Sequence, residues 1–317
     1  MNILVLGTVH QSGIKYLLNK SYKVYEFEDQ NLNYKENLGI YDGLIVKMNK
    51  IDSEFLKQAK NLKVIARHGV GYNNIDISAI NEKKIPLFIT GDVNSTSVAE
   101  HTLGLILDIT KKISLYDRNV RKNNFVIRNS FKSRDLENKK ILICGFGRIG
   151  KKVSQFCKAF SMNISIYDKY LDFSKNPTEF NVVDNLEGSL SEFDFISIHI
   201  PFNNSEKALI DKNFLNNLKD TCSIINTSRG DLVNESDMLI HLQNNKNFYY
   251  GTDVFNPEPP LENSELFKLD NIVMTPHSAA YTSECVDKMS LYSAINIDNF
   301  FNKKIDSSLL INKEIYN

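Results

Sequence analysis

The chain has 317 residues, 38 basic against 38 acidic side chains for a formal charge of +0, and 42% hydrophobic residues. That length is about twice an ordinary domain, so two domains with sizeable cores are expected and a small disulfide-stapled scaffold is excluded. Zero net charge offers no global field to nucleic acid or an anionic membrane, and four widely spaced cysteines without a Cys-x-x-Cys pair suggest neither a zinc site nor a disulfide framework and fit a reducing cytoplasm; no metal is expected.

In chain order, the start from Met1 to Gly7 lacks a basic leader and a cleavage site, and reads as a strand over Ile3 to Leu6. No apolar run approaches the roughly 18 residues of a membrane span. Further strands are expected at Gly43 to Val46 and Val64 to Ala66, then at Ile141 to Cys144, Ile164 to Tyr167, Phe195 to Ile198 and Ile224 to Asn226. Helical spacing appears between them at Ser53 to Ala59, Ile149 to Phe160 and Glu235 to Leu242. Such alternation predicts right-handed βαβ units, hence parallel sheets covered by helices on both faces. Two longer stretches, Ser97 to Arg121 and Thr282 to Phe301, each predict one long helix, the first capped around Ser95, Thr96 and Ser97 with Glu100 following. The polar segment Asn123 to Arg134 predicts a loop. The long helices would join a domain of residues 1–97 and 286–317 to a second domain of residues 98–285.

The strand Ile141 to Cys144 runs straight into Gly145-Phe146-Gly147-Arg148-Ile149-Gly150, with helical spacing after it. This is G-x-G-x-x-G in the strand–turn–helix context that gives it meaning. Gly145 permits the tight turn, Gly147 lets a pyrophosphate approach the backbone at Arg148 and Ile149, and Gly150 lets helix and strand pack closely. The next strand ends in Asp168, 18 residues after Gly150, where a carboxylate can hold a ribose diol. A carboxylate there favours NAD over NADP, whose 2'-phosphate it would repel.

Three polar islands follow strand-like segments in the second half: Asn226 to Gly230, Asp253 to Pro259 and Thr275 to Ala279. At the carboxyl ends of parallel strands they would converge beside the nicotinamide. Within them Arg229 can clamp a carboxylate and polarise a carbonyl, His277 can exchange a proton, and Glu258 can hold the imidazole in one orientation. The other histidines, His10, His68, His101 and His241, read first as packed or surface residues, with His68 raised somewhat by the neighbouring Gly69 and Gly71.

With these islands, Arg67 to Asp76 (RHGVGYNNID) and Asn94 to His101 (NSTSVAEH), the chain resembles the D-isomer-specific 2-hydroxyacid dehydrogenase family over nearly its whole length, in a short form without a regulatory domain. The resemblance implies an α/β fold of two doubly wound parallel-sheet domains, a Rossmann nucleotide-binding domain and a flavodoxin-like substrate domain. It also implies NAD as cofactor, Arg229, Glu258 and His277 as the catalytic set, and Asp253 near the nicotinamide carboxamide. His199 and Pro201 would line the adenosine side, with Thr227 close to the cofactor. Backbone amides at Val70 and Gly71 would hold the substrate carboxylate across a cleft between the domains, with Lys47 or Asn94 nearby. The family's frequent tryptophan is absent, its Leu-x-Gly turn reads Leu136-Glu137-Asn138, where Asn tolerates a left-handed backbone, and Lys47 stands where arginine is frequent.

The expected function is hydride transfer between NAD and a small D-2-hydroxy or 2-keto acid in a cytoplasmic homodimer, the long helix from Ser97 resembling the family's dimer element. The alternatives are D-3-phosphoglycerate dehydrogenase specifically and, from another class, an NAD(H)-sensing corepressor-like binding protein. Formate dehydrogenase is disfavoured because its relatives carry glutamine where Glu258 stands.

Overall fold

The computed structural model describes residues 1–28, 31–130, 132–202 and 207–316. The chain divides into two compact units, Met1–Asn94 with Tyr281–Asn317, and Ser95–Ala280. The switches thus fall at 94/95 and 280/281, where the sequence suggests 97/98 and 285/286.

The first unit runs β1 (Asn2–Leu6), α1 (Gln11–Asn19), β2 (Lys23–Phe27), β3 (Gly43–Val46), α2 (Ser53–Gln58), β4 (Val64–Arg67), α3 (Ile77–Glu82) and β5 (Leu87–Phe88). All pairings are parallel in the order β2-β1-β3-β4-β5, which is the flavodoxin-like arrangement. The central strands read as unbroken apolar runs because both faces are covered. Leu4, Leu6, Leu44 and Ile65 pack one way with Phe55, Leu56 and Ile80. Ile3, Val5, Ile45 and Val64 pack the other way with Ile14, Leu17 and Ile297. Asp52 and Asp76 start α2 and α3 by accepting from the amides of Phe55 and Ala79.

The second unit contains α4 (Ser95–Lys111), α5 (Ile113–Val120), β6 (Lys140–Cys144), α6 (Arg148–Ala159), β7 (Asn163–Tyr167), β8 (Asn181–Val182), α7 (Leu186–Ser189), β9 (Phe195–Ile198), α8 (Lys212–Asn216), β10 (Ser223–Asn226), α9 (Glu235–Asn244), β11 (Tyr249–Thr252) and β12 (Ile272–Met274). Its seven parallel strands lie in the order β12-β11-β10-β9-β6-β7-β8, a Rossmann sheet with one strand added. The order reverses between β6 and β9, which opens a crevice at their carboxyl ends. The chain then returns to the first unit as α10 (Ser283–Phe301), capped by Thr282 and packed along α1 and β4.

Three expectations need correction. The single helix expected over Ser97 to Arg121 is two helices, broken at Lys112, whose φ of 59° is left-handed. The Asp108 carboxylate causes the restart by accepting from both the amide and the hydroxyl of Ser114, each at 2.7 Å. Because α4 already begins at Ser95, Thr96 lies inside its first turn rather than capping it. The expected loop after Asn123 contains a short 3-10 helix, Phe125–Ser130. The strands without a counterpart in the sequence reading are β2, which is half-exposed and mixed in polarity, and β5 and β8, which are only two residues long. Asn138 adopts φ 61°, the left-handed turn expected of it.

Candidate active site

β6 delivers the chain to Gly145 at φ 97°, and the amide of His199 at the end of β9 bonds back to the Cys144 carbonyl at 2.7 Å. A Cβ on Gly145 would lie 2.6 Å from the His199 carbonyl oxygen, and one on Gly150 only 2.0 Å from the Gly145 carbonyl oxygen. Those two glycines are demanded by the protein itself. Gly147 is different: its φ of −76° suits any residue, and a Cβ there would meet no protein atom within 4 Å. Glycine at that exposed position therefore keeps space clear for something other than this chain. Gly147 also caps α6 without a side-chain acceptor, leaving the N-terminal dipole and first-turn amides at Arg148 and Ile149 to an anion. Asp168, at the end of β7, accepts from the amides of Phe146 at 2.8 Å and Tyr170 at 3.0 Å, which fixes its carboxylate beside the loop. These features suit a dinucleotide pyrophosphate and its ribose.

His199 bonds Ser197 Oγ at 2.8 Å through Nε2, and burial pulls its pKa down to about 3, so it stays neutral. Pro201 is exposed two residues beyond it. Thr227, nearly buried, meets the hydroxyl of Thr102 at 2.9 Å.

The three islands follow β10, β11 and β12, adjacent strands of one sheet. Asn226, fully buried, shapes the first by donating to the Arg229 carbonyl at 2.8 Å and accepting from the Ser228 amide at 3.0 Å. Gly230 lies so close to the second island that a Cβ would sit 2.0 Å from the Phe255 carbonyl oxygen. Asn256 ties the second island to the segment just after the first, donating to the carboxylates of Asp231 and Glu235 at 2.8 Å each. Burial draws the Arg229 guanidinium below its ordinary pKa, opposed by the charges of Glu258 and Asp231. The Glu258 carboxylate bonds His277 Nδ1. The structure thus gathers Arg229, Glu258 and His277 at one edge of one sheet.

Asp253 is fully buried, and both its oxygens are occupied within the third island: Oδ1 accepts from Thr275 Oγ1 at 2.6 Å and the Ser278 amide at 2.8 Å, Oδ2 from the Ala279 amide at 2.9 Å. Its evident work is to hold the turn that carries His277, a role invisible in the sequence because its partners lie more than twenty residues away. The bracing residues Asn226 and Gly230 also escape sequence reading, although both flank Arg229 in the first island.

Lys47, Val70, Gly71 and Asn94 belong to the first unit. Lys47 follows β3 and holds its amine over the Tyr281 ring, 5.0 Å from the centroid. The Arg67 guanidinium bonds the carbonyls of Gly71, at 2.6 Å, and His68, pinning the loop through Gly69 and Val70. His68 is buried, and burial followed by the charges of Arg67 and Lys47 pushes its pKa down to about 4. Asn94 is half-buried just before α4. Among the described residues, no group of three His, Cys, Asp or Glu side chains could hold a metal ion, and no helix is long and apolar enough to cross a membrane.

Fold and site together define a dinucleotide-dependent oxidoreductase built on two doubly wound sheets. Residues 103–279 match the family model described as "D-isomer specific 2-hydroxyacid dehydrogenase, NAD binding domain". The chain is 33% identical over 307 residues to the D-3-phosphoglycerate dehydrogenase of Archaeoglobus fulgidus, covering 94% of itself but only 57% of that protein's length. It is 33% identical over 253 residues to the hydroxypyruvate reductase of Thermotoga maritima, covering 79% of itself and 81% of that protein. Among solved structures it is similar to the NAD+-bound 3-phosphoglycerate dehydrogenase of Entamoeba histolytica, with a TM-score of 0.80, 28% identity and 96% of each chain covered. The chain belongs to the D-isomer-specific 2-hydroxyacid dehydrogenase family and is an NAD-dependent oxidoreductase.

Proposed function

We propose that this chain interconverts a small 2-keto acid and its D-2-hydroxy acid, with Arg229, Glu258 and His277 as its catalytic residues. The observation that carries the reading is the Glu258–His277 bond beside the half-buried Arg229 guanidinium, at the carboxyl edge of the sheet that bears the glycine loop. Ser95–Ala280 acts as the nucleotide-binding unit, in which Gly145, Gly147, Arg148, Ile149, Gly150, Asp168, His199, Pro201 and Thr227 surround the cofactor, while Asp253, fully buried with both oxygens bonded, acts from behind by holding the His277 turn. Lys47, Val70, Gly71 and Asn94 of the other unit serve the substrate carboxylate and its substituent. NADH, when bound, supplies the hydride for the carbonyl carbon. Because Nδ1 of His277 is committed to Glu258, Nε2 is the atom that gives its proton to the carbonyl oxygen on reduction and recovers it on oxidation. Glu258 steadies the imidazolium and keeps that nitrogen facing the substrate. Arg229 binds the substrate carboxylate and polarises the carbonyl, its field strengthened by the burial of its guanidinium.

An unphosphorylated acid fits the first unit better than a phosphorylated one. Of the three basic residues near the Gly69 loop, Arg67 is bound to backbone carbonyls and His68 is neutral, which leaves Lys47 as the cation for a substituent. We also infer a homodimer: Ile113, Val120, Phe125 and Val126, all on α5 and the turn after it, stand at least 50% exposed in one short segment. No disulfide joins the four buried cysteines, which suits the cytoplasm.

The test is NADH oxidation with glyoxylate, pyruvate, hydroxypyruvate and 3-phosphohydroxypyruvate. An unphosphorylated acid should turn over fastest, and His277→Ala should lower kcat about 10²- to 10⁴-fold while NADH still binds. NADH binding without turnover of any of the four would instead favour a cofactor-sensing binding protein.

A further inference from the structure

We propose that His101 is a positioning residue, which acts through Thr275 and Asp253 to hold the turn that aims His277; the proposal rests on the reading of His277 as the acid/base. The turn is an unusual one to hold. His277 sits at φ 51°, a left-handed conformation costly for a residue with a side chain, so the surrounding bonds must impose it. They come from Asp253, whose buried carboxylate accepts from Thr275 Oγ1, two residues before His277, and from the Ser278 and Ala279 amides just after it. Asp253 and Thr275 are themselves registered on the sheet, their amides bonding the carbonyls of Asn226 and Thr252 at 3.0 Å each.

The direction of the side-chain bonds then follows. Thr275 has one hydroxyl proton, and the 2.6 Å contact to an acceptor-only carboxylate uses it. Toward His101 Nε2, at 2.8 Å, the same oxygen can only accept, so His101 must carry its proton on Nε2. That nitrogen also lies 3.6 Å from Asp253 Oδ1, bringing a donor to a carboxylate with no exposure to water. The next residue, Thr102, meets Thr227 Oγ1 at 2.9 Å, two positions before Arg229. One turn of α4 therefore braces both the arginine loop and the histidine loop.

Three substitutions test this. His101→Leu removes the donor, His101→Gln retains an N–H donor, and Thr275→Val removes the relay. With the best 2-keto acid of the panel, His101→Leu and Thr275→Val should each lower kcat about tenfold, the scale of one lost hydrogen bond, with the KM for NADH within about twofold of wild type. His101→Gln should restore most of the loss. The double variant should be no slower than Thr275→Val alone, because the two act in one chain. In parallel, ring-nitrogen NMR of the full chain, followed to a pH at which the His277 ring is neutral, should show a single Nδ1–H tautomer in the wild type and an average of both tautomers in His101→Leu. A His101→Leu protein with wild-type kcat and unchanged His277 signals overturns the proposal, as does a Gln variant that is folded yet as impaired as Leu. The NMR arm reads the positioning without turnover, so a chain that reduced no 2-keto acid would refute the proposed activity and still decide the role of His101.

Discussion

Gly147 and Gly150 lie three residues apart in one turn, yet a methyl group added to each meets different surroundings. At Gly150 it strikes the Gly145 carbonyl at 2.0 Å, so Gly150→Ala must push α6 off β6 and should lower the melting temperature markedly. At Gly147 it enters open space on an ordinary backbone, so Gly147→Ala should melt with the wild type while its Kd for NADH rises about tenfold or more. Paired thermal melts and NADH titrations check both, and equal affinity in Gly147→Ala would mean that the pyrophosphate lies elsewhere. The motif was legible in sequence because each glycine answers a local demand. The work of Asp253 was not, since a carboxylate between a strand and a polar run says nothing about which amides will turn toward it.

At the scale of elements, the fully buried strands were readable and the marginal ones were not. β1, β3, β6, β9 and β10 are covered on both faces and are built around short apolar runs with polar residues chiefly at their ends, which is a pattern visible in one dimension. β2 is an edge strand with two exposed positions, and β5 and β8 are two residues each, held by their neighbours rather than by composition. The break at Lys112 was hidden for a similar reason, as helical spacing continues straight across it. There the amine is buried over the Tyr249 ring, and burial, with the charge of Arg134, pushes its pKa from 10.5 down to about 7. Because the folded form binds this proton less tightly than the unfolded chain, the penalty is full below about pH 7 and fades as pH rises toward 10.5. Lys112→Met should accordingly be more stable than the wild type at neutral pH, with the gap closing as the pH is raised. Urea midpoints of the two proteins between pH 7 and 9 measure it, and a gap independent of pH would refute the burial argument.

For the molecule as a whole, the exposed apolar residues of α5 and the turn after it predict self-association. Val126→Asp should shift the sedimentation of a dimer toward the monomer without loss of fold, and a wild type already monomeric at micromolar concentration would end that reading. The two doubly wound sheets, the glycine turn and its acid, and the three strand-end islands are legible from residue order alone. These depend on spacing along the chain, where strand, turn and helix must alternate for the backbone to bury its polar groups. Folding is what ends α4 at Lys112, commits Arg67 to its own loop, and gathers Asp253, Thr275 and His101 around the turn of His277. His101, Asp253 and Thr275 are far apart in the chain, as are Lys112 and the Tyr249 ring that covers it. Although the bonds of Arg67 and Asp108 are local, all of these partners are chosen by packing and turn geometry, which helical or strand spacing does not record.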